Sequence, residues 1–323
     1  MKRYAKIKLL ALLSGFLFHA NCLAQTGKVK SNGIEISYES LGSEKMQTIL
    51  LISGTGAQLT MWPDEFCKKL SSKGYRVIRF DNRDVGLSTK FDSAGLPNWE
   101  AIGKALSQKQ QPPLAYTLDD MAKDAVGLLD ALKIKKAHIV GASMGGMIAQ
   151  RLAYNHPDHV LSLVSIMAGG GNATFPLVAK PDAIKEIPEI APNSDKETFM
   201  QREIKSRSVL AGNTFKPDQN LLRTQVQKDF DRSFYPPGFY RQGAASTVGF
   251  YAGRQAELKA IKVPTLVIHG SEDPLVTVDA GKDVANLIPN ASFVLLDGMG
   301  HDLPQKLFDN IIDLIAENAE RAK

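Results

Sequence analysis

A serine hydroxyl becomes a useful nucleophile only when a base takes its proton and an acid holds that base in place. Three short motifs in this 323-residue chain supply such groups in order. The first is Gly141-Ala142-Ser143-Met144-Gly145-Gly146. A bare G-x-S-x-G arises by chance in about one chain in ten of this length, so its setting decides its weight. An apolar run at 137–140 precedes it, and Met144, Met147, Ile148 and Leu152 follow at helical spacing. That places Ser143 on a sharp strand-to-helix turn, with its hydroxyl aimed out of the sheet end. Of the six histidines, His138 and His269 fall in strand runs, and His156 and His159 flank Pro157. These four read as structural or solvated. His301 differs, because Gly298-Met299-Gly300-His301-Asp302 is a flexible loop after the last apolar strand. The acid expected beside it is Asp273, in Gly270-Ser271-Glu272-Asp273-Pro274. Glu272 competes with it, as do Asp297 and Asp302 near His301. An acyl-transfer intermediate also needs hydrogen-bond donors at its oxyanion. The backbone N–H of Met144 is one candidate. The other lies in Ser53-Gly54-Thr55-Gly56, with Thr55 preferred and Gly56 the alternative.

These groups must be carried on elements that converge. Strand patterns fall at 34–39, 48–52, 76–80, 138–140, 161–167, 265–269 and 293–296, several of them unbroken apolar runs, as strands buried on both faces require. Helical patterns lie near 63–73, 117–132, 145–155, 278–287 and 304–320. The alternation predicts an α/β fold with a mainly parallel central sheet and helices on both faces. Ser143, Asp273 and His301 all follow strands, so one sheet edge would gather them. The alternation breaks over 172–258, which holds seven of the 16 prolines. That stretch reads as an inserted helical cap, leaving 25–171 and 259–323 as the core. The stretch 89–116 reads as a loop with at most a short helix.

Charge and the N-terminus constrain partners. The formal net charge is +5, which would invite a nucleic-acid or membrane-surface reading. Lys2, Arg3, Lys6 and Lys8 precede the apolar run LLALLSGFLF, and Ala24 offers a small residue for cleavage. This is the pattern of an export leader over 1–24, too short to span a bilayer. Lipidation at Cys22 is disfavoured by the residues before it. Without those four cations, 35 basic residues face 34 acidic ones, a charge of +1. The basis for nucleic-acid binding or a stable membrane anchor then disappears, and an exported protein is expected. Cys67 alone would remain, so no intrachain disulfide forms; it reads as a buried thiol. No Cys/His cluster has zinc spacing.

The chain resembles the α/β-hydrolase superfamily over about 30–320. The resemblance rests on SGTG at 53–56, DNRDVGLS at 81–88, GASMGG at 141–146, GSEDP at 270–274 and GMGH at 298–301. With MWPDEF at 61–66 it is most similar to the group that includes aclacinomycin methylesterase-type esterases. The resemblance implies Ser143 as nucleophile, Asp273 as acid and His301 as base. It also implies small-molecule esters as substrates and no metal or organic cofactor. Asp81 and Arg83 are read as structural supports. Ser53-Gly54 stands where His-Gly is common, and Asp84 where a glycine is common. The same triad would serve a cofactor-free haloperoxidase or perhydrolase, or a peptidase. A non-catalytic ligand-binding member is the reading from a different class.

Overall fold

The computed structural model describes residues 24–176 and 178–322. The expected leader, with Cys22, therefore lies outside the described residues except for Ala24. The first elements are β1 (Gln25–Ser31) and β2 (Ile34–Leu41), an antiparallel hairpin. Its two-residue turn is Asn32-Gly33, both at positive φ, the backbone a tight hairpin demands. Then come β3 (Thr48–Ile52), α1 (Asp64–Ser72), β4 (Arg76–Phe80), α2 (Trp99–Ser107) and α3 (Leu118–Ala131). Next are β5 (Ala137–Ala142), α4 (Met144–Asn155) and β6 (Val160–Ile166).

Between β6 and the next strand the chain leaves the sheet and forms α5 (Pro181–Ile184), α6 (Lys196–Leu210), α7 (Gln219–Arg232), α8 (Pro236–Phe250) and α9 (Gln255–Lys259). It returns through β7 (Thr265–Gly270), α10 (Val278–Leu287), β8 (Ser292–Leu296) and α11 (Phe308–Glu320). The strand order is β1-β2-β4-β3-β5-β6-β7-β8. Only the β1/β2 and β2/β4 pairings are antiparallel; the other five are parallel. The expected mainly parallel α/β sheet is what forms. The difference is β1, which no apolar run announces; α2, of nine residues, is the short helix allowed for in the stretch 89–116.

Period-two alternation distributes the core. Ile49 and Leu51 of β3 join Val140, Val164 and Ile268 against Phe66, Leu70, Phe308 and Ile311 of α1 and α11. Leu50 and Ile52 point the other way, to Ile139, Leu163 and Val267 and the helices α3, α4 and α10. Every residue of β3, β4 and β5 is buried, so these strands are clamped from both faces. Cys67 lies inside α1, and burial pushes its thiol up to about 12, so it is an inert packing group.

The helices between β6 and β7 have a small core of their own, around Met200, Leu222 and Val226. Buried polar pairs fasten them to the sheet. Arg241 of α8 donates from Nε to Oδ2 of Asp84 at 2.6 Å and from Nη2 to Oδ1 at 2.8 Å. The same carboxylate accepts from the Tyr116 hydroxyl and the Phe91 N–H. Asp84 has φ +75°, which explains why glycine is common at this position. Here an aspartate bears the strained backbone and supplies the counter-charge for a buried arginine. Arg232 of α7 pairs likewise with buried Asp81 at 2.8 Å.

Candidate active site

Ser143 occupies the turn between β5 and α4 with φ 57° and ψ −123°, a conformation that L-residues avoid. Its N–H donates to the carbonyl of Ile166, and its own carbonyl accepts from Gly146 and Met147 as the helix begins. The turn is tight enough to require its glycines. A Cβ on Gly141 would overlap the Gly145 carbonyl, and one on Gly145 would overlap the Ile52 carbonyl. The crowding fixes the strained backbone and leaves the Ser143 side chain half-buried at the C-terminal sheet edge.

The loops after β7 and β8 meet it there. His301 Nε2 lies 2.9 Å from Ser143 Oγ, and His301 Nδ1 lies 2.8 Å from Asp273 Oδ2. A carboxylate only accepts, so Nδ1 carries the proton and Nε2 is left to accept from the serine hydroxyl. The other oxygen of Asp273 accepts from the N–H groups of Leu275 and Val276, at 2.8 and 2.9 Å. Burial would raise the Asp273 carboxyl, but the His301 and His269 rings outweigh it and hold the group well below the usual carboxylate range.

The competing acids are disposed elsewhere. Glu272 turns away and accepts from the N–H groups of Asn213 and Thr214 and from the Thr214 hydroxyl. Asp297 accepts from Ser271. Asp302 is half-buried beside His301, with Oδ1 lacking a partner. Burial and then the neighbouring Asp273 carboxylate push it up to about 7, with His301 opposing them. This has a stability consequence. Between about pH 4 and pH 7 the folded chain keeps a proton that the unfolded chain has lost, so stability falls as pH rises through that window and levels off above it. Asp302→Asn should remove the fall. Its urea-unfolding free energy should match wild type near pH 4 and exceed it at pH 8 by up to about 4 kcal/mol. An increment that is the same at both pH values would refute the assignment.

The loop after β3 comes close to Ser143. Gly54 packs on it: a Cβ there would sit 3.3 Å from Ser143 Cβ. The N–H of Gly56 donates to Gln242 Oε1 at 2.7 Å, which removes it as a free donor. The N–H groups of Thr55 and Met144 have no hydrogen-bond acceptor among the described residues. Gln242, fully buried in α8, also donates from Nε2 to the Arg83 carbonyl and so ties this loop to the following one. Arg83 itself pairs bidentately with buried Asp124, in keeping with a supporting role.

A cleft opens beside Thr55 and Gly56. Its far wall comes from α6, α7, α8 and the connection between α7 and α8, and includes Phe199, Phe230, Phe234 and Phe239. Arg207 in this wall is neutralised by Glu203 and Asp229. Arg202 stacks over Phe239 at 5.1 Å and pairs with no carboxylate among the described residues. Among those residues, no group of three or more His, Cys, Asp or Glu could hold a metal ion.

Gln242, the cavity aromatics and the role of Asp84 were beyond reach of the sequence motifs, since each depends on contacts between distant segments. His269, read as structural from its strand, lies 3.2 Å from Asp273.

A family model described as alpha/beta hydrolase fold matches residues 47–304. A rhodomycin D methylesterase of Streptomyces sp. strain C5 is 26% identical over 317 residues, covering 92% of this chain and 99% of its own. A 2-hydroxy-6-oxononadienedioate/2-hydroxy-6-oxononatrienedioate hydrolase of Pseudomonas putida is 27% identical over 274 residues, covering 83% and 85%. Among solved structures, a meta-cleavage product hydrolase from Pseudomonas fluorescens superposes with a TM-score of 0.68 at 22% identity, covering 92% of this chain and 98% of that one. At that identity the likeness concerns the fold alone.

Proposed function

The chain belongs to the alpha/beta hydrolase fold family, and on that premise we propose that it hydrolyses carboxylic esters of small molecules through an acyl-enzyme on Ser143. The observation that carries this reading is the continuous path Ser143–His301–Asp273, set beside two N–H groups without acceptors. The methylesterase name of a relative that aligns along nearly its whole length supports esters over other acyl compounds.

The steps follow from the geometry. His301 Nε2 takes the Ser143 proton as Oγ bonds to the ester carbonyl carbon, and the carbonyl π electrons move to oxygen. The N–H groups of Thr55 and Met144 receive that charge. Asp273 stabilises the imidazolium without taking its proton. When the tetrahedral adduct collapses, the C–O bond to the alcohol breaks and His301 protonates the leaving oxygen. Water then enters by the same route: His301 takes its proton, a second adduct forms, and its collapse releases the acid and restores the Ser143 hydroxyl. The substrate's bulk lies under α6–α8 as the cap, among the phenylalanines, with Arg202 available to an anionic substituent. The basic and apolar leader over 1–24 supports export before the enzyme acts.

The test is covalent. A p-nitrophenyl phosphonate should release one equivalent of nitrophenol, add its phosphonyl mass to the peptide containing Ser143, and abolish turnover of p-nitrophenyl acetate and butyrate. Label on another residue, or ester turnover that survives full labelling, would refute the reading.

A further inference from the structure

We propose that His269 is a positioning residue for the reaction, a second histidine that holds the Asp273 carboxylate; this rests on the ester-hydrolase reading above. His269 is the penultimate residue of β7 and is fully buried. Its Nε2 lies 3.0 Å from the Val276 carbonyl and 3.2 Å from Asp273 Oδ2. Nε2 carries a proton and donates it to the Val276 carbonyl, and the same polar N–H edge lies 3.2 Å from Asp273 Oδ2 without making a second hydrogen bond. The opposite nitrogen, Nδ1, has no partner. Gly281 of α10 closes over that nitrogen so tightly that a Cβ there would overlap it. With no acceptor for a second N–H, the ring is fixed as the tautomer whose N–H lies on the Asp273 side.

Asp273 Oδ2 therefore accepts from His301 and lies 3.2 Å from the His269 N–H dipole, while Oδ1 accepts two N–H groups from the backbone. Three hydrogen bonds fix the plane of the carboxylate, and the His269 dipole adds to the stabilisation of its charge. The other titratable groups at this site are His301 and Asp302, both from the loop after β8. Glu272 is turned to Thr214, and α10 presents Gly281, which has no side chain. The His269 N–H dipole stabilises negative charge on the oxygen that also binds His301. Without it, that oxygen should hold the imidazolium more strongly.

The experiment compares wild type with His269→Phe, which keeps bulk and loses the donor, and His269→Gln, which restores an N–H. For His269→Phe we expect kcat on p-nitrophenyl acetate to fall 10- to 100-fold, on the order of one or two hydrogen bonds of positioning. KM should change less than about threefold, in line with loss of an interaction that substrate never touches. The acid limb of kcat/KM should move to higher pH, and the far-downfield proton resonance of the His301–Asp273 hydrogen bond should shift. His269→Gln should recover most of kcat and the wild-type limb. A His269→Phe enzyme with an unchanged acid limb and resonance, whatever its Tm, would make His269 structural only and overturn the proposal. A wild type inert to every ester would instead refute the parent reading. Should His269→Phe not fold, His269→Gln against His269→Leu gives the same comparison of donor kept and donor lost.

Discussion

Ser143→Ala should lower kcat on p-nitrophenyl esters by about 10⁴- to 10⁶-fold, the range expected when a nucleophile coupled to a base is removed. KM should change little, because the oxyanion donors and the cavity remain. Tm should stay close to wild type. The alanine keeps the Cβ and therefore the strained φ of 57°, and only the 2.9 Å contact with His301 is lost. His301→Ala should cost a similar factor. Combining the two should add little, since base and nucleophile act as one unit. Steady-state kinetics on purified variants checks both statements. Additive losses, or a Ser143→Ala enzyme within tenfold of wild type, would mean that another group carries the reaction.

The second large effect is on stability. Asp84→Ala should destabilise the fold by about 3–5 kcal/mol, the cost of breaking a buried ion pair from one side. The variant would leave the Arg241 guanidinium buried with only the Gly95 carbonyl and the Tyr235 hydroxyl as hydrogen-bond acceptors. Asp84→Gly removes the φ +75° strain, worth about 1–2 kcal/mol, yet should still lose on balance. Arg241→Met should be comparably harmful. The double variant Asp84→Ala with Arg241→Met should recover much of the loss, since neither charge then remains unpaired. Urea unfolding of the four proteins gives the coupling directly. Single variants within about 0.5 kcal/mol of wild type would show that the pair contributes nothing. Limited proteolysis should cut the single variants first between α5 and α8, where this pair anchors the helices.

What was legible in the sequence follows from how locally each feature is determined. β3 is buried along its whole length and its sequence TILLI shows this as an apolar run, whereas β4, equally buried, carries Arg76 and Arg79. The glycines around Ser143 are dictated by contacts a few residues away and by one neighbouring strand, and the motif shows them. β1 escaped because it is an edge strand with alternating exposure, in the polar sequence QTGKVKS; Asn32-Gly33, a strong hairpin turn, was the available clue. α2 is short, but Asn98 caps its first turn by accepting from the Ala101 N–H. The choice of Asp273 over Glu272 could not be read from order alone, because adjacent residues on a turn face opposite ways. Gly56 dropped out as an oxyanion donor only through Gln242, 186 residues further along the chain. Asp84 and Arg241 are 157 residues apart. Nothing in the local pattern of either names the other.

The helices between β6 and β7 also meet the core at the end of α6. The His301 N–H donates to the Leu210 carbonyl at 2.6 Å, and Glu272 receives the next backbone donors at Asn213 and Thr214. The last turn of α6 is thus part of the scaffold that holds His301, although it lies between β6 and β7. For anyone building chimaeras, the junction that looks natural between β6 and β7 is the wrong seam. A donor insertion that reshapes the binding cavity must inherit the 210–214 corner from this chain. Otherwise the graft will exchange specificity and disturb the proton relay in the same stroke.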